Sequence, residues 1–164
     1  MTLPRPRRAA VTLLIALGLL ASAACFGGGS SSPPTPGASP ESVAERIIVI
    51  HQDEDWSALY DLYTTESQEN CGRDDYIAGS QLLTVNARDL SPDIYGDYHQ
   101  RLTRATPVLD AVSEEEFTIS YVVDGAVEPL LGGLPDQLIL EDGSWKPNDP
   151  SAVELACSAI NPPA

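Results

Sequence analysis

The stretch FTISYVVDGAVEPLLGGLPDQLILEDGSWKP, residues 117–147, decides the fold class. Within it Phe117, Ile119, Tyr121 and Val123 alternate with Thr118, Ser120, Val122 and Asp124, the period of two that puts successive side chains on opposite faces of a half-buried strand. Asp124 and Gly125 both tolerate the positive φ that a two-residue hairpin turn demands, so the chain is expected to return as a strand over residues 126–131. A second unit follows, in which residues 137–140 (QLIL) run into Glu141-Asp142-Gly143-Ser144 and come back through Trp145-Lys146-Pro147. Upstream, residues 105–112 (ATPVLDAV) read as one more strand, divided from Phe117 by a charged turn at 113–116. Two hairpins in so short a span imply an antiparallel sheet.

Ahead of residue 104 the period changes to that of a helix. Ser39 is a good N-cap, Pro40 suits the first helical position, and Glu41 places negative charge at the positive end of the helix dipole. Val43, Ile47 and Ile50 follow at i, i+4, i+7 with Ala44 and Ile48 beside them, which predicts an amphipathic helix of about 12 residues. A second helix is expected from Asp55, with Trp56, Leu59, Tyr60 and Tyr63 on one stripe. A third is expected from Asp74 or Asp75 as N-cap, with Tyr76, Ile77, Leu82 and Leu83 as its apolar face. Ser91-Pro92-Asp93 reads as a further helix start, although Gly96 weakens the turn after it. Helices first and an antiparallel meander last is an α+β arrangement in one domain.

The segment VAERIIVIHQDEDWSALYDLYT (43–64), the later strands and the closing LEDGSWKP hairpin (140–147) resemble the nuclear transport factor 2-like fold in its exported actinobacterial lipoprotein form. The resemblance implies a strongly curved sheet wrapped over a long helix, forming a cone with an apolar mouth. Members of that superfamily include isomerases, dehydratases and epoxide hydrolases, and also binding and partner-interaction domains without catalysis, so the fold by itself does not choose a function.

The amino terminus bears on location. Residues 1–8 (MTLPRPRR) are cationic and residues 9–20 (AAVTLLIALGLL) are apolar, the length of a signal-peptide core and short of the roughly 20 residues that span a bilayer. Ala21-Ser22-Ala23-Ala24-Cys25 follows and resembles a bacterial lipobox, with Ser22 standing where Leu, Val or Ile is usual. The resemblance implies diacylglycerol on the Cys25 thiol and a cut before Cys25. The competing reading is an exported protein with a stray cysteine, cut by a general signal peptidase. Arg7-Arg8 lies between Pro6 and Ala9-Ala10, a context that favours the general secretory route over twin-arginine export. Residues 26–40 (FGGGSSSPPTPGASP) bury too little apolar surface to order themselves and read as a tether, with an r.m.s. span of roughly 20 Å. The expected organisation is therefore a signal peptide (1–24), a lipidated cysteine with its linker (25–39) and an α+β domain (40–164), held at the extracytoplasmic face of the cell membrane.

Charge and cysteine usage narrow the partners. The 164 residues carry 24 Asp and Glu against 9 Lys and Arg, a net charge of −15. Removal of Arg5, Arg7 and Arg8 with the signal leaves six cations and a charge of −18. Such a body repels phosphate, so nucleic acid is excluded as a partner. With Cys25 lipidated, Cys71 and Cys157 have one possible pairing in an oxidising compartment, a disulfide closing a loop of about 86 residues, for which the chain-entropy relation gives roughly 4–5 kcal/mol. Their spacing does not suit a zinc site.

Groups for chemistry are few. Asp124, Asp110, Tyr121 and the run Asp97-Tyr98-His99 are the candidates for a general base and its partner, but Asp124 suits a turn and His99 a solvated segment. His51 is expected at the end of the first helix, where imidazolium suits the dipole. Asp53-Glu54-Asp55 lacks the glycine and distal glutamate of a calcium loop. Neither a metal, a cofactor nor a catalytic set is expected. The stripe Trp56, Tyr60, Tyr63 is expected to meet the strand face Phe117, Ile119, Tyr121, Val123, and the two either fill the interior or line a cavity; the small residues elsewhere in the sheet favour a cavity with a hydroxyl from Tyr60, Tyr63 or Tyr121 at its wall. The sequence thus favours a membrane-anchored, non-catalytic module that holds a small apolar ligand or an envelope protein. The alternative is a small enzyme acting on a hydrophobic cyclic substrate. Because the lipid is the attachment this reading supplies, Cys25→Ala is expected to move the protein into the medium or leave it unprocessed, which fractionation of cells and medium checks; a processed variant still on membranes refutes the anchor.

Overall fold

The computed structural model of the chain describes residues 37–161 apart from Asn70 and Gly132. The expected signal peptide, Cys25 and the linker as far as residue 36 lie outside the described residues.

Local chemistry starts each helix. In α1 (Pro40–Asp53) the Ser39 side chain accepts from Ser42 N at 3.3 Å, and Pro40 opens the first turn. The helix stops where Glu54 turns left-handed, at φ 53°. Asp55 caps α2 (Trp56–Leu62) by accepting from Ala58 N at 3.0 Å, and Thr64 caps the single turn of α3 (Thr65–Gln68). Gly72, not Asp74 or Asp75, is the N-cap of α4 (Arg73–Leu90); the two aspartates occupy its first turn, where they favour the dipole. Helix α5 (Pro92–Leu102) starts at Ser91-Pro92 and runs straight through Gly96.

The strands are β1 (Thr106–Ser113), β2 (Glu116–Val123), β3 (Ala126–Val127), β4 (Gln137–Glu141) and β5 (Ser144–Pro147). They form an antiparallel sheet in the order β1-β2-β4-β5, with β3 also paired to β2. Both expected Asp-Gly hairpins are present. Asp124 and Gly125 take φ of 53° and 85°, and Asp142 and Gly143 take 53° and 73°, so each pair supplies the two positive φ values that match a tight turn to the strand twist. The expected strand over residues 126–131 is shorter: pairing ends after Val127, because Pro129 cannot donate to a ladder and opens a 3-10 turn, Pro129–Leu131.

Two helices go beyond the elements expected from the sequence, the single turn α3 and a longer α6 (Pro150–Ile160) after Pro147. The start of α6 repeats the signals read at residue 39: the Asp149 carboxylate accepts from Ala152 N at 2.9 Å, and Pro150 follows.

Two apolar cores result. In the first, Val43, Ala44, Ile47 and Ile48 of α1 pack on Ile119, Tyr121 and Val123 of β2 and on Leu138 of β4, closed by Leu102, Leu131 and Leu134. In the second, Ile50 of α1 joins Leu59, Tyr60 and Leu62 of α2, Tyr63, Tyr76 of α4, and Val153 and Ala156 of α6. The expected meeting of the Trp56, Tyr60, Tyr63 stripe with the face of β2 therefore does not occur. Helix α1 already covers that face of the sheet, and the stripe is covered by α4 and α6. Asn148 fastens the halves together: its side-chain oxygen accepts from Thr64 (2.8 Å) and Ser67 (3.1 Å), and its amide donates to Gln137 Oε1 (3.1 Å).

Helix α6 is joined to α4 and to the segment just before it. Cys71 and Cys157 form the expected disulfide, with Cα atoms 6.0 Å apart. One helical face further on, a Cβ placed on Gly79 would stand 1.8 Å from the carbonyl oxygen of Ala156, so the two backbones approach as closely as glycine permits. Gly79→Ala is expected to lower stability by about 2–3 kcal/mol. Gly96→Ala, facing open space in α5, is expected to raise it by up to about 1 kcal/mol. Urea denaturation of the two variants checks both; an unchanged midpoint for Gly79→Ala would deny the close approach.

Candidate functional site: an interhelical groove

Between the end of α1, the start of α2 and the flanks of α4, α5 and α6 lies a groove of about 420 Å³. Its walls are mainly apolar, from Leu59, Tyr63, Tyr76, Leu83, Ile94 and Leu155. The size falls within the range that small-molecule sites occupy. The sheet side contributes Gly133, on a loop, so this is not the cone cavity expected between helix and strand.

The polar groups gather at the α1–α5 end. His51 lies in the last turn of α1, where it is 6% exposed. Its Nδ1 stands 3.1 Å from the Tyr98 hydroxyl, its ring meets Trp56 edge-on at 5.2 Å, and its Nε2 is buried with no hydrogen-bond partner among the described residues. Burial, reinforced by His99 nearby, pulls its pKa from 6.5 down to about 4. It is thus a neutral imidazole at physiological pH, not the dipole-compensating cation expected at a helix end. Burial also pushes up the phenols of Tyr63 and Tyr98, and that of Tyr76 to about 12, so the groove presents hydroxyls and no phenolate.

At the rim, Glu54 collects a cluster. It accepts from the Tyr95 hydroxyl and from Arg88 Nη2 (2.9 Å), and His99 Nε2 lies 3.6 Å away. The guanidinium of Arg88 also sits over the Tyr95 ring, 5.1 Å from its centre. Glu54 holds this position with a left-handed backbone, which costs a non-glycine residue about 1–2 kcal/mol. His99 is therefore drawn into a pairing rather than simply solvated.

Of the residues expected at a ligand site, Trp56 and Tyr63 line the groove. Tyr60 and Tyr121 do not: the Tyr60 hydroxyl donates to the Cys71 carbonyl at 2.6 Å, and that of Tyr121 to the Pro135 carbonyl at 2.7 Å. Both are consumed within the cores. Asp124 is a turn residue paired with Arg104 at 2.8 Å, while Asp110 and Asp97 are exposed. The sequence reading missed the juxtaposition of His51 with Tyr98, 47 residues apart, and all of α6. A signal for α6 existed in Asp149-Pro150; none existed for the histidine pair.

No protein-family model, curated protein or solved structure matches this chain. Among the described residues no helix is long and apolar enough to cross a membrane, and no group of three or more metal-binding side chains is present.

The His51 shift has a signed consequence. Between pH 6.5 and 4 the unfolded chain binds a proton at this histidine that the folded chain does not, so folding stability falls as pH falls through that window. The loss from His51 is expected to reach roughly 3 kcal/mol at pH 4. Urea denaturation of wild type and His51→Gln across pH 4–7 checks it, since the variant lacks this component of the slope; parallel profiles would show that His51 is accessible to protons.

Proposed function

We propose that this protein is a lipid-anchored lipoprotein of the cell envelope whose interhelical groove binds a small, mainly apolar ligand without transforming it. The observation that carries the reading is the groove itself: a mainly apolar, ligand-sized space whose inner end holds a neutral histidine. The anchor rests on the cationic start, the short apolar run and Cys25, and the tether lets a strongly acidic body stand off an anionic bilayer. A nuclear transport factor 2-like cone extends the observed α+β arrangement, supported by the way α1 lies against the faces of β2 and β4.

The second reading, a small hydrophobic-substrate enzyme, draws support from His99 beside Glu54 at the rim. Against it, the Glu54 carboxylate is already engaged by Tyr95 and Arg88, so its oxygens are occupied within the protein rather than turned to a substrate.

Trp56 is a built-in reporter, since Trp145, the other tryptophan, can be replaced by Phe. Titrating the Trp145→Phe protein with an uncharged apolar dye such as N-phenyl-1-naphthylamine is expected to change Trp56 emission saturably at one site per chain. Ala87→Phe, which fills the groove from an exposed position, is expected to weaken binding at least tenfold at unchanged stability. No saturable change, or binding indifferent to Ala87→Phe, overturns the groove as the ligand site.

A further inference from the structure

We propose that the groove selects an uncharged amphipathic ligand, a long-chain alcohol, ester or ketone rather than a fatty acid, by donating a hydrogen bond from Nε2 of His51 to the ligand's oxygen. The inference rests on the binding function proposed above and adds the polar end of the ligand to it.

The contact between His51 and Tyr98 admits either tautomer, and the selection rests on the one in which the Tyr98 hydroxyl donates. The acceptor available to the Tyr98 hydroxyl is Nδ1 of His51, at 3.1 Å. With that hydroxyl donating, the ring hydrogen is assigned to Nε2, which becomes a donor. This donor is shut away from water and has no acceptor among the described residues. A buried donor without a partner is costly, and a ligand oxygen brought to it recovers that cost. Trp56, half-buried, packs edge-on against the His51 ring and lines the groove beside it.

Charge decides the class of oxygen. Neither lysine nor arginine lines the groove, and the one carboxylate there is Glu54. Arg73, Arg101, Arg104 and Lys146 are paired with Asp61, Glu128, Asp124 and Glu141, and Arg88 with Glu54 itself. A ligand carboxylate would thus be desolvated beside a neutral imidazole in an acidic protein, without a countercharge. A hydroxyl or carbonyl oxygen meets no such penalty. The apolar walls beyond, from Leu59 to Leu155, take the hydrocarbon.

The test uses the exported Cys25→Ser, Trp145→Phe protein, which carries no acyl chain of its own, and displacement of the naphthylamine dye by 1-dodecanol, laurate and dodecane at pH 7.5. Dodecanol is expected to bind at least tenfold more tightly than laurate. His51→Phe is expected to weaken dodecanol roughly tenfold more than it weakens dodecane, the ratio of the two affinities being the readout. Tyr98→Phe, which frees the ring to take either tautomer, is expected to cost dodecanol a smaller factor in the same direction; it keeps the test available should His51→Phe not fold. Laurate binding as well as dodecanol, or dodecanol indifferent to both substitutions, overturns the selection while dye binding upholds the groove. Failure of the dye itself to bind refutes the underlying function instead.

Discussion

The close approach of α4 and α6 is the constraint on which the rest of this structure depends. Gly79 lets the α4 backbone reach the Ala156 carbonyl, and the Cys71–Cys157 disulfide ties the chain just ahead of α4 to α6. Close contact between them gives Tyr60, Tyr63 and Tyr76 a buried place beside Val153 and Ala156. It also brings Leu155 and Ala156 of α6 and Ser80 and Leu83 of α4 to the lining of one groove. The helix that forms the second core thus forms a wall of the candidate site, so packing and binding draw on the same contact.

Helix α1 divides its work between the two cores. Residues 43–48 cover the sheet, Ile50 enters the helical core, and His51 arrives at the groove at the point where the cores meet. Its burial there has an energetic signature, since an imidazole held neutral with an unpartnered nitrogen is a polar group kept away from water at the expense of stability. The left-handed backbone of Glu54, three residues on, is a second local cost at the same end of the groove. Two unfavourable features side by side at a cavity fit a surface arranged for something other than stability alone.

Much of the fold was legible in local chemistry. The two Asp-Gly pairs announced their hairpins because few residues other than glycine and Asx accept positive φ at both turn positions. Ser39-Pro40 announced a helix start through a cap that acts within one turn, and Ser91-Pro92 through a proline suited to the first helical position, Ser91 making no side-chain cap bond. The candidate site was legible in part: Trp56 and Tyr63 do face the groove, but Tyr60 and Tyr121, from the same apolar stripes, turn their hydroxyls onto backbone carbonyls. Periodicity identifies a buried face and is silent on whether the burial is against a void or against another chain segment.

The sequence by itself determined the α+β order, the antiparallel pairing and the turn types, because each depends on backbone preferences of a few adjacent residues; it pointed to the disulfide only on the condition that Cys25 is lipidated. Tertiary structure alone decided which helix covers the sheet, where the cavity lies and that a histidine at the end of α1 is buried beside a tyrosine 47 residues away. Those outcomes depend on how amphipathic faces of similar character choose among partners, and that choice is made by shape and close approach, as at Gly79 and Ala156, which no local pattern encodes.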